Sequence, residues 1–179
     1  MICLRFSLSC FIKFDSFQLT PEVLAFGPGG VEEDILRQNI RAINSGFYNG
    51  LTIHRSQPGF VIQGGDPKNG GKSETPSIKG EFASNGHYGN NIQHVRGVIS
   101  MARTNDPNSA SSQFFICLGD CRSSLDGSYA GFGYVVEGMD VVDKIAEFMA
   151  PYGDPSLGMV TDKNYQVKIT SAVVLENYK

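Results

Sequence analysis

The sequence predicts a mainly-β domain: a closed eight-stranded antiparallel β-barrel capped by two α-helices. Three observations predict it. Short apolar runs ending at Gly, Asn or Pro recur along the chain, two isolated segments carry helical spacing, and no repeat or linker divides the sequence. Short strands left in an open sheet would expose their edges, and closure removes those edges. The 179 residues, 41% hydrophobic and 18% charged, have the composition of one globular domain, taken as 1–179.

Two strand-like segments open the chain, up to about Leu19, and Thr20-Pro21 is expected to end them. Ile2, Leu4, Phe6 and Leu8 alternate with Arg5, Ser7 and Ser9, which is the period of a half-buried strand. Arg5 and Lys13 break the apolar stretch and no small-residue cleavage site follows, so a signal peptide is not expected. Gly27-Pro28-Gly29-Gly30 reads as a loop. A helix is expected from Val31 to Ser45, with Glu32, Glu33 and Asp34 at the positive end of its dipole and Gly46 as its stop. Ile35, Leu36, Ile40 and Ile43 give it an apolar face.

Five strands should follow: Leu51 to His54, Phe60 to Gln63, Gly97 to Met101, Gln113 to Cys117, and Gly131 to Val136. Asp140 is the expected N-cap of a second helix running to Met149. Pro151 to Lys163 reads as a surface loop. Val167, Ile169, Val173 and Leu175 mark a last strand with one apolar face.

Composition narrows the function. A net charge of −3 without basic clusters gives no electrostatic case for nucleic acid. No apolar segment approaches a membrane span, and the expectation is a cytoplasmic monomer. Cys3, Cys10, Cys117 and Cys121 follow neither zinc nor disulfide-framework spacing, so reduced thiols are expected, with Cys117 and Cys121 near enough to leave oxidation open. Gly70-Gly71-Lys72-Ser73 lacks the first glycine of a phosphate loop, whose place Asp66 takes. The three histidines do not group as metal ligands, and no cofactor or metal is called for.

The densest information lies in His54-Arg55-Ser56-Gln57-Pro58-Gly59-Phe60-Val61-Ile62-Gln63-Gly64-Gly65-Asp66. It places one arginine beside a phenylalanine, a glutamine and paired glycines, with no nucleophile or paired carboxylates. Gly97-Val98-Ile99-Ser100-Met101-Ala102-Arg103, Ser112-Gln113-Phe114-Phe115-Ile116 and Leu125-Asp126-Gly127 complete the set. Together these blocks resemble the cyclophilins, the barrel-shaped peptidyl-prolyl cis-trans isomerases, over about Gly46 to Ile145. Gly80-Glu81-Phe82, Met101-Ala102-Arg103-Thr104 and Tyr129 look like the bacterial-type branch.

The resemblance implies catalysis of rotation about X-Pro bonds in proline-containing peptides and unfolded proteins. That reaction breaks no covalent bond; its barrier, roughly 20 kcal/mol, is the lost amide resonance. A catalyst must bind the twisted amide better than the planar one, and a permanently charged donor fork suits the reoriented carbonyl and pyramidal nitrogen. Arg55 occupies the position of the family's catalytic arginine, with Gln63 beside it. Phe60, Val61, Met101, Leu125, Phe115 and Tyr129 are implied to line the proline pocket. Gln63, Gln113, Ala102 and the backbone of Arg103 are implied to hold the substrate chain. Any one apolar residue here is more often plain core, and only the joint spacing favours a pocket. His54 reads as structural, since no proton transfer is needed. Gly64 and Gly65 mark either a close backbone approach or a bulge.

Ser124 stands where many cyclophilins carry a tryptophan that contacts cyclosporin, so only weak cyclosporin binding is expected. Tyr129 replaces a histidine of the eukaryotic branch, and Val61 a larger methionine. Two rival readings remain: a non-catalytic module that binds proline peptides in the same groove, and a barrel carrying a lipophilic ligand. Arg55 favours the enzyme over the first, and the polar Arg-Gln groove disfavours the second.

Overall fold

In the computed structural model the described residues are 8–14, 22–26, 33–72 and 74–175. The alternation over Ile2 to Ser7, the Gly27–Gly30 loop, Cys3 and Ser73 lie outside them. Within them run β1 (Leu8–Phe14), β2 (Glu22–Phe26), α1 (Glu33–Asn44), β3 (Thr52–Gln57), β4 (Val61–Gly64), β5 (Val98–Met101) and β6 (Phe114–Cys117). The single turn α2 (Arg122–Leu125), β7 (Gly131–Val135), α3 (Met139–Met149) and β8 (Val167–Leu175) follow. The fold is mainly β. All pairings are antiparallel in the order β1-β2-β7-β5-β6-β4-β3-β8, and β8 returns to β1.

Inward residues of the strands meet the apolar faces of the two long helices. Ile53, Ile62, Ile99, Ile116, Phe132 and Ile169 share one buried cluster with Ile35 and Ile43 of α1 and Ile145 and Met149 of α3. The inward face of α1 is built on Ile35, Asn39, Ala42 and Ile43; Leu36 and Ile40 of the expected face are only half-buried. A buried Asn39 is tolerated because it is bonded: its amide donates to the Ile35 carbonyl over 2.9 Å, and its oxygen accepts from the Tyr48 hydroxyl over 2.9 Å. Buried Glu81 accepts the Ile35 N–H over 3.1 Å, satisfying a donor of the first helical turn. Gly46 ends the helix region at φ 68°, as its stop-signal reading requires.

Three local expectations change. The two opening strands do not end by Leu19: β2 runs Glu22–Phe26, after Thr20-Pro21, and those two residues lie outside the described ones. The N-cap of α3 is Gly138, at φ 88°, and Asp140 lies in the first turn beside Lys144 at 3.3 Å. In β8 the apolar face is not continuous: Val167 and Ile169 are buried, but Ala172 (3% exposed) then points inward and Val173 (48% exposed) outward. The register against β1 slips there, from Lys13↔Ser171 to Phe14↔Ile169, and one extra residue reverses the alternation.

Candidate active site

The same device places Arg55. Ile53 is a core residue, so plain alternation would send Arg55, two positions on, into the core. The β3–β4 register instead jumps from Ile53↔Gly64 to Arg55↔Gln63, leaving His54 as the extra residue. The bulge turns Arg55 and Gln57 outward and Ser56 inward, where its hydroxyl donates to the Ala146 carbonyl of α3 over 3.0 Å. Of the two readings of the paired glycines, close backbone approach holds, and the extra residue of the bulge is His54 on the facing strand. A Cβ on Gly64 would stand 2.9 Å from the Thr52 carbonyl oxygen, and one on Gly65 2.7 Å from that of Ser112.

Arg55 is half-buried and braced on three sides. Nη1 donates to Gln63 Oε1 over 3.1 Å, Nη2 to Gln57 Oε1 over 2.7 Å, and Nε to the Leu157 carbonyl over 2.6 Å. Gln63 passes the chain on, its Nε2 donating to Gln113 Oε1 over 2.9 Å. Burial is the main influence lowering the Arg55 pKa, opposed by Tyr129 and the Asp154 carboxylate.

A small groove of about 170 Å³ opens beside the guanidinium, lined by Arg55, Phe60, Val61, Gln63, Ala102, Arg103, Phe115, Leu125 and Tyr129. The Phe60 ring centroid lies 6.0 Å from the Arg55 guanidinium carbon, and Tyr129 meets Phe115 edge-on at 5.7 Å. Below Phe115, His94 stacks at 6.0 Å and is pinned by Asp126 Oδ1 at 2.8 Å and Ser100 Oγ at 2.9 Å. The pocket floor is thus tied to β5 by a buried polar chain. A flat apolar slot with the braced Arg55 guanidinium at its edge can hold a proline ring and bond to the carbonyl of the amide that precedes it.

Nine of the eleven predicted site residues meet at this groove. Gln113 lines an adjoining hollow of about 450 Å³ that shares Gln63, Ala102 and Arg103 with it. Met101 does not line the groove: it is 2% exposed, its Sδ lies 3.4 Å from Asn39 Nδ2, and it packs with the core under α1. Met101 and Ala102 are adjacent on the chain and take opposite faces, so only Ala102 looks out. Arg103 contributes its side chain, which lies 4.5 Å from the Tyr129 centroid and donates from Nε and Nη2 to the Ser128 carbonyl over 3.1 and 2.8 Å.

His54 is buried, as a structural role requires, but its Nδ1 has no hydrogen-bond partner. Burial foremost lowers its pKa. Sequence reasoning missed Gln57 and Leu157. Gln57 was accessible, being two residues from Arg55 on the same strand face. The Leu157 carbonyl comes from a loop and carries no side-chain signal. A larger hollow of about 650 Å³ between α1 and residues 75–79 shares no lining residue with the groove and gathers no catalytic constellation.

Comparison with known proteins identifies a family. The family model "Cyclophilin type peptidyl-prolyl cis-trans isomerase/CLD" matches residues 36–174. Peptidyl-prolyl cis-trans isomerase A of Dickeya dadantii is 47% identical over 113 residues, covering 59% of this chain and 55% of that protein. The chain thus spans about half the length of such bacterial relatives. Peptidyl-prolyl cis-trans isomerase CYP18-1 of Arabidopsis thaliana is 40% identical over 117 residues, covering 65% of this chain and 71% of that one. A crystal structure of a Cryptosporidium parvum cyclophilin type peptidyl-prolyl cis-trans isomerase superposes with a TM-score of 0.72 at 24% identity, covering 97% and 100% of the two chains. The same type of protein from that organism, crystallised in the presence of the dipeptide Ala-Pro, gives 0.71 at 24% identity, covering 94% and 99%. The structural likeness speaks for the fold, and the family match, which takes in every residue of the groove, says the rest: the chain belongs to the cyclophilin-type peptidyl-prolyl cis-trans isomerases.

Proposed function

We propose that the chain accelerates cis-trans rotation about X-Pro bonds in proline-containing peptides and unfolded proteins. The observation that carries this reading is Arg55, held in one orientation at the edge of a groove small enough for a proline ring. Three of its five N–H groups are engaged within the protein, which leaves one on each Nη for substrate. The proline seats against Phe60, Phe115 and Leu125. The carbonyl of the residue before the proline, as it rotates out of conjugation with the proline nitrogen, gains a charge-assisted bond that the planar amide does not make equally well. Gln63 and Gln113 and the backbone at Ala102 and Arg103 hold the flanking chain.

The reading takes residues 1–179 as a single domain in the closed eight-stranded form, its ends covered by helices, acting as a monomer. The ring of strand pairings supports the closed form. Free, buried Cys117 and Cys121 fit a reducing compartment such as the cytoplasm.

Exchange between the cis and trans forms of a short X-Pro peptide tests it, with wild type beside Arg55→Ala and circular dichroism as the folding control. Acceleration by wild type that drops about a hundredfold or more in a folded variant supports the assignment. No acceleration by a well-folded wild type makes the groove a binding site without turnover.

A further inference from the structure

Arg55 is steered from outside its own hairpin. The carbonyl that receives its Nε belongs to Leu157, in a turn over residues 154–159 that follows α3. Asp154 organises that turn. Its Oδ1 accepts the Ser156 N–H at 3.0 Å, the Ser156 hydroxyl at 2.6 Å and the Leu157 N–H at 2.9 Å, while Oδ2 accepts the Met159 N–H at 2.7 Å. These four donors, the Ser156 hydroxyl foremost, bring its pKa down to about 2, so the carboxylate is ionised throughout the neutral range.

The main chain closes the turn through Asp154 N–H to the Met159 carbonyl at 3.0 Å and Gly158 N–H to the Asp154 carbonyl at 2.9 Å. The closed turn is then bonded to β3 on both sides of Arg55. Ser56 N–H donates to the Gly158 carbonyl at 2.8 Å, and Val160 N–H to the His54 carbonyl at 2.9 Å. A guanidinium held only at its Nη atoms by two glutamines can still swing with their flexible side chains. The third bond, at Nε, comes from backbone and fixes the plane.

We propose that Asp154 is a positioning residue for the isomerisation: it shapes the 154–159 turn so that the Leu157 carbonyl locks the plane of the Arg55 guanidinium. The proposal rests on the reading of Arg55 as the group that stabilises the twisted amide. Asp154 itself touches no substrate. An ordinary loop cap would lower stability when removed but leave Arg55 as it was.

The test compares wild type, Asp154→Ala and the milder Asp154→Asn by three readouts: kcat/KM for an X-Pro peptide, the Kd of that peptide, and the Arg55 Nε–H resonance in a ¹⁵N spectrum. The expected result for Asp154→Ala is a fall in kcat/KM of about tenfold to hundredfold, as for a misplaced catalytic group. Peptide Kd should stay within about twofold, and the Nε–H resonance should move towards that of a solvent-exposed arginine. Asp154→Asn should fall between the two, and it carries the test if the alanine variant does not fold. An unmoved Nε–H resonance, or wild-type kcat/KM in a folded variant, overturns the positioning role. A wild type without isomerase activity overturns it differently, through the function itself, and a shifted Nε–H resonance in the variant would then mark that as the step that failed.

Discussion

Arg55 and Gln63 are register partners across the β3–β4 hairpin and also bond through their side chains, Nη1 to Oε1 at 3.1 Å. The pairing exists because of the bulge at His54; without it Arg55 would face the core. One backbone irregularity therefore sets both which way the cation points and what it leans on.

Gln63 should matter more to rate than to folding. Replacing it with alanine removes the brace on Nη1 and the amide that holds Gln113 at 2.9 Å. A hydrogen bond to a charged partner is worth about 1.5–3 kcal/mol, which corresponds to roughly tenfold to hundredfold in rate if the bond is felt in the transition state. Gln63→Ala should lose kcat/KM on that scale with little change in Tm. A loss of under twofold would leave Gln63 as a substrate contact of minor weight.

Gly158 is the turn residue least able to change. It sits at φ 71°, and a Cβ there would lie 2.2 Å from the Ser56 carbonyl oxygen, one residue from Arg55. Gly158→Ala should cost about 1–3 kcal/mol from the left-handed backbone alone. Relief of the clash requires the turn to move off β3, so kcat/KM should fall together with the denaturation midpoint. A variant with wild-type stability in urea would show that the turn does not hold this geometry in solution.

Much of this site was legible in the sequence because its side chains announce themselves. Phe60, Phe115, Leu125 and Tyr129 stand in the blocks that carry the resemblance to the cyclophilins, and that resemblance implies a shared pocket. Met101 failed because its apolar character is the same whether it faces pocket or core; the phase of β5 decides, and a four-residue strand carries too little pattern to fix it. Val173 failed for the related reason that one extra residue in β8 reverses the alternation, and no residue type in Ile169-Thr170-Ser171 signals it. The Leu157 carbonyl was invisible because a backbone atom carries no residue signature.

Stability should depend on pH through two buried histidines. His94 (1% exposed) and His54 (3% exposed) both have lowered pKa values, with burial the largest cause in each. A lowered pKa means that the native state favours the neutral ring. The unfolded chain then binds more protons once pH drops below about 6.5, and stability falls as pH is lowered from there through the native pKa. Each group contributes a slope of at most about 1.4 kcal/mol per pH unit in that window. Tm should therefore be flat on the alkaline side of 6.5 and fall on the acid side. His54→Leu, which removes the ring with the unpartnered Nδ1, should make that fall shallower. An identical slope in the variant would place the titration elsewhere.

Ser124 is expected to weaken the response to cyclosporin. It is exposed on the single turn α2, one residue before the buried Leu125 of the groove wall. Where related proteins place an indole, a serine leaves no flat apolar wall and no long-reaching donor. Tryptophan is among the anchor residues whose loss costs binding most, about 2 kcal/mol or more. Wild type should thus bind cyclosporin weakly while retaining turnover of small peptides, whose proline rests on Phe60, Phe115 and Leu125. Ser124→Trp should raise cyclosporin affinity by about thirtyfold or more, the fold-change equivalent to that energy. Its kcat/KM on a short X-Pro peptide should change little, because position 124 is outside the groove. Isothermal titration of both proteins beside the peptide assay decides it. Tight binding by wild type would mean that the surface around α2 recognises the macrocycle without an indole.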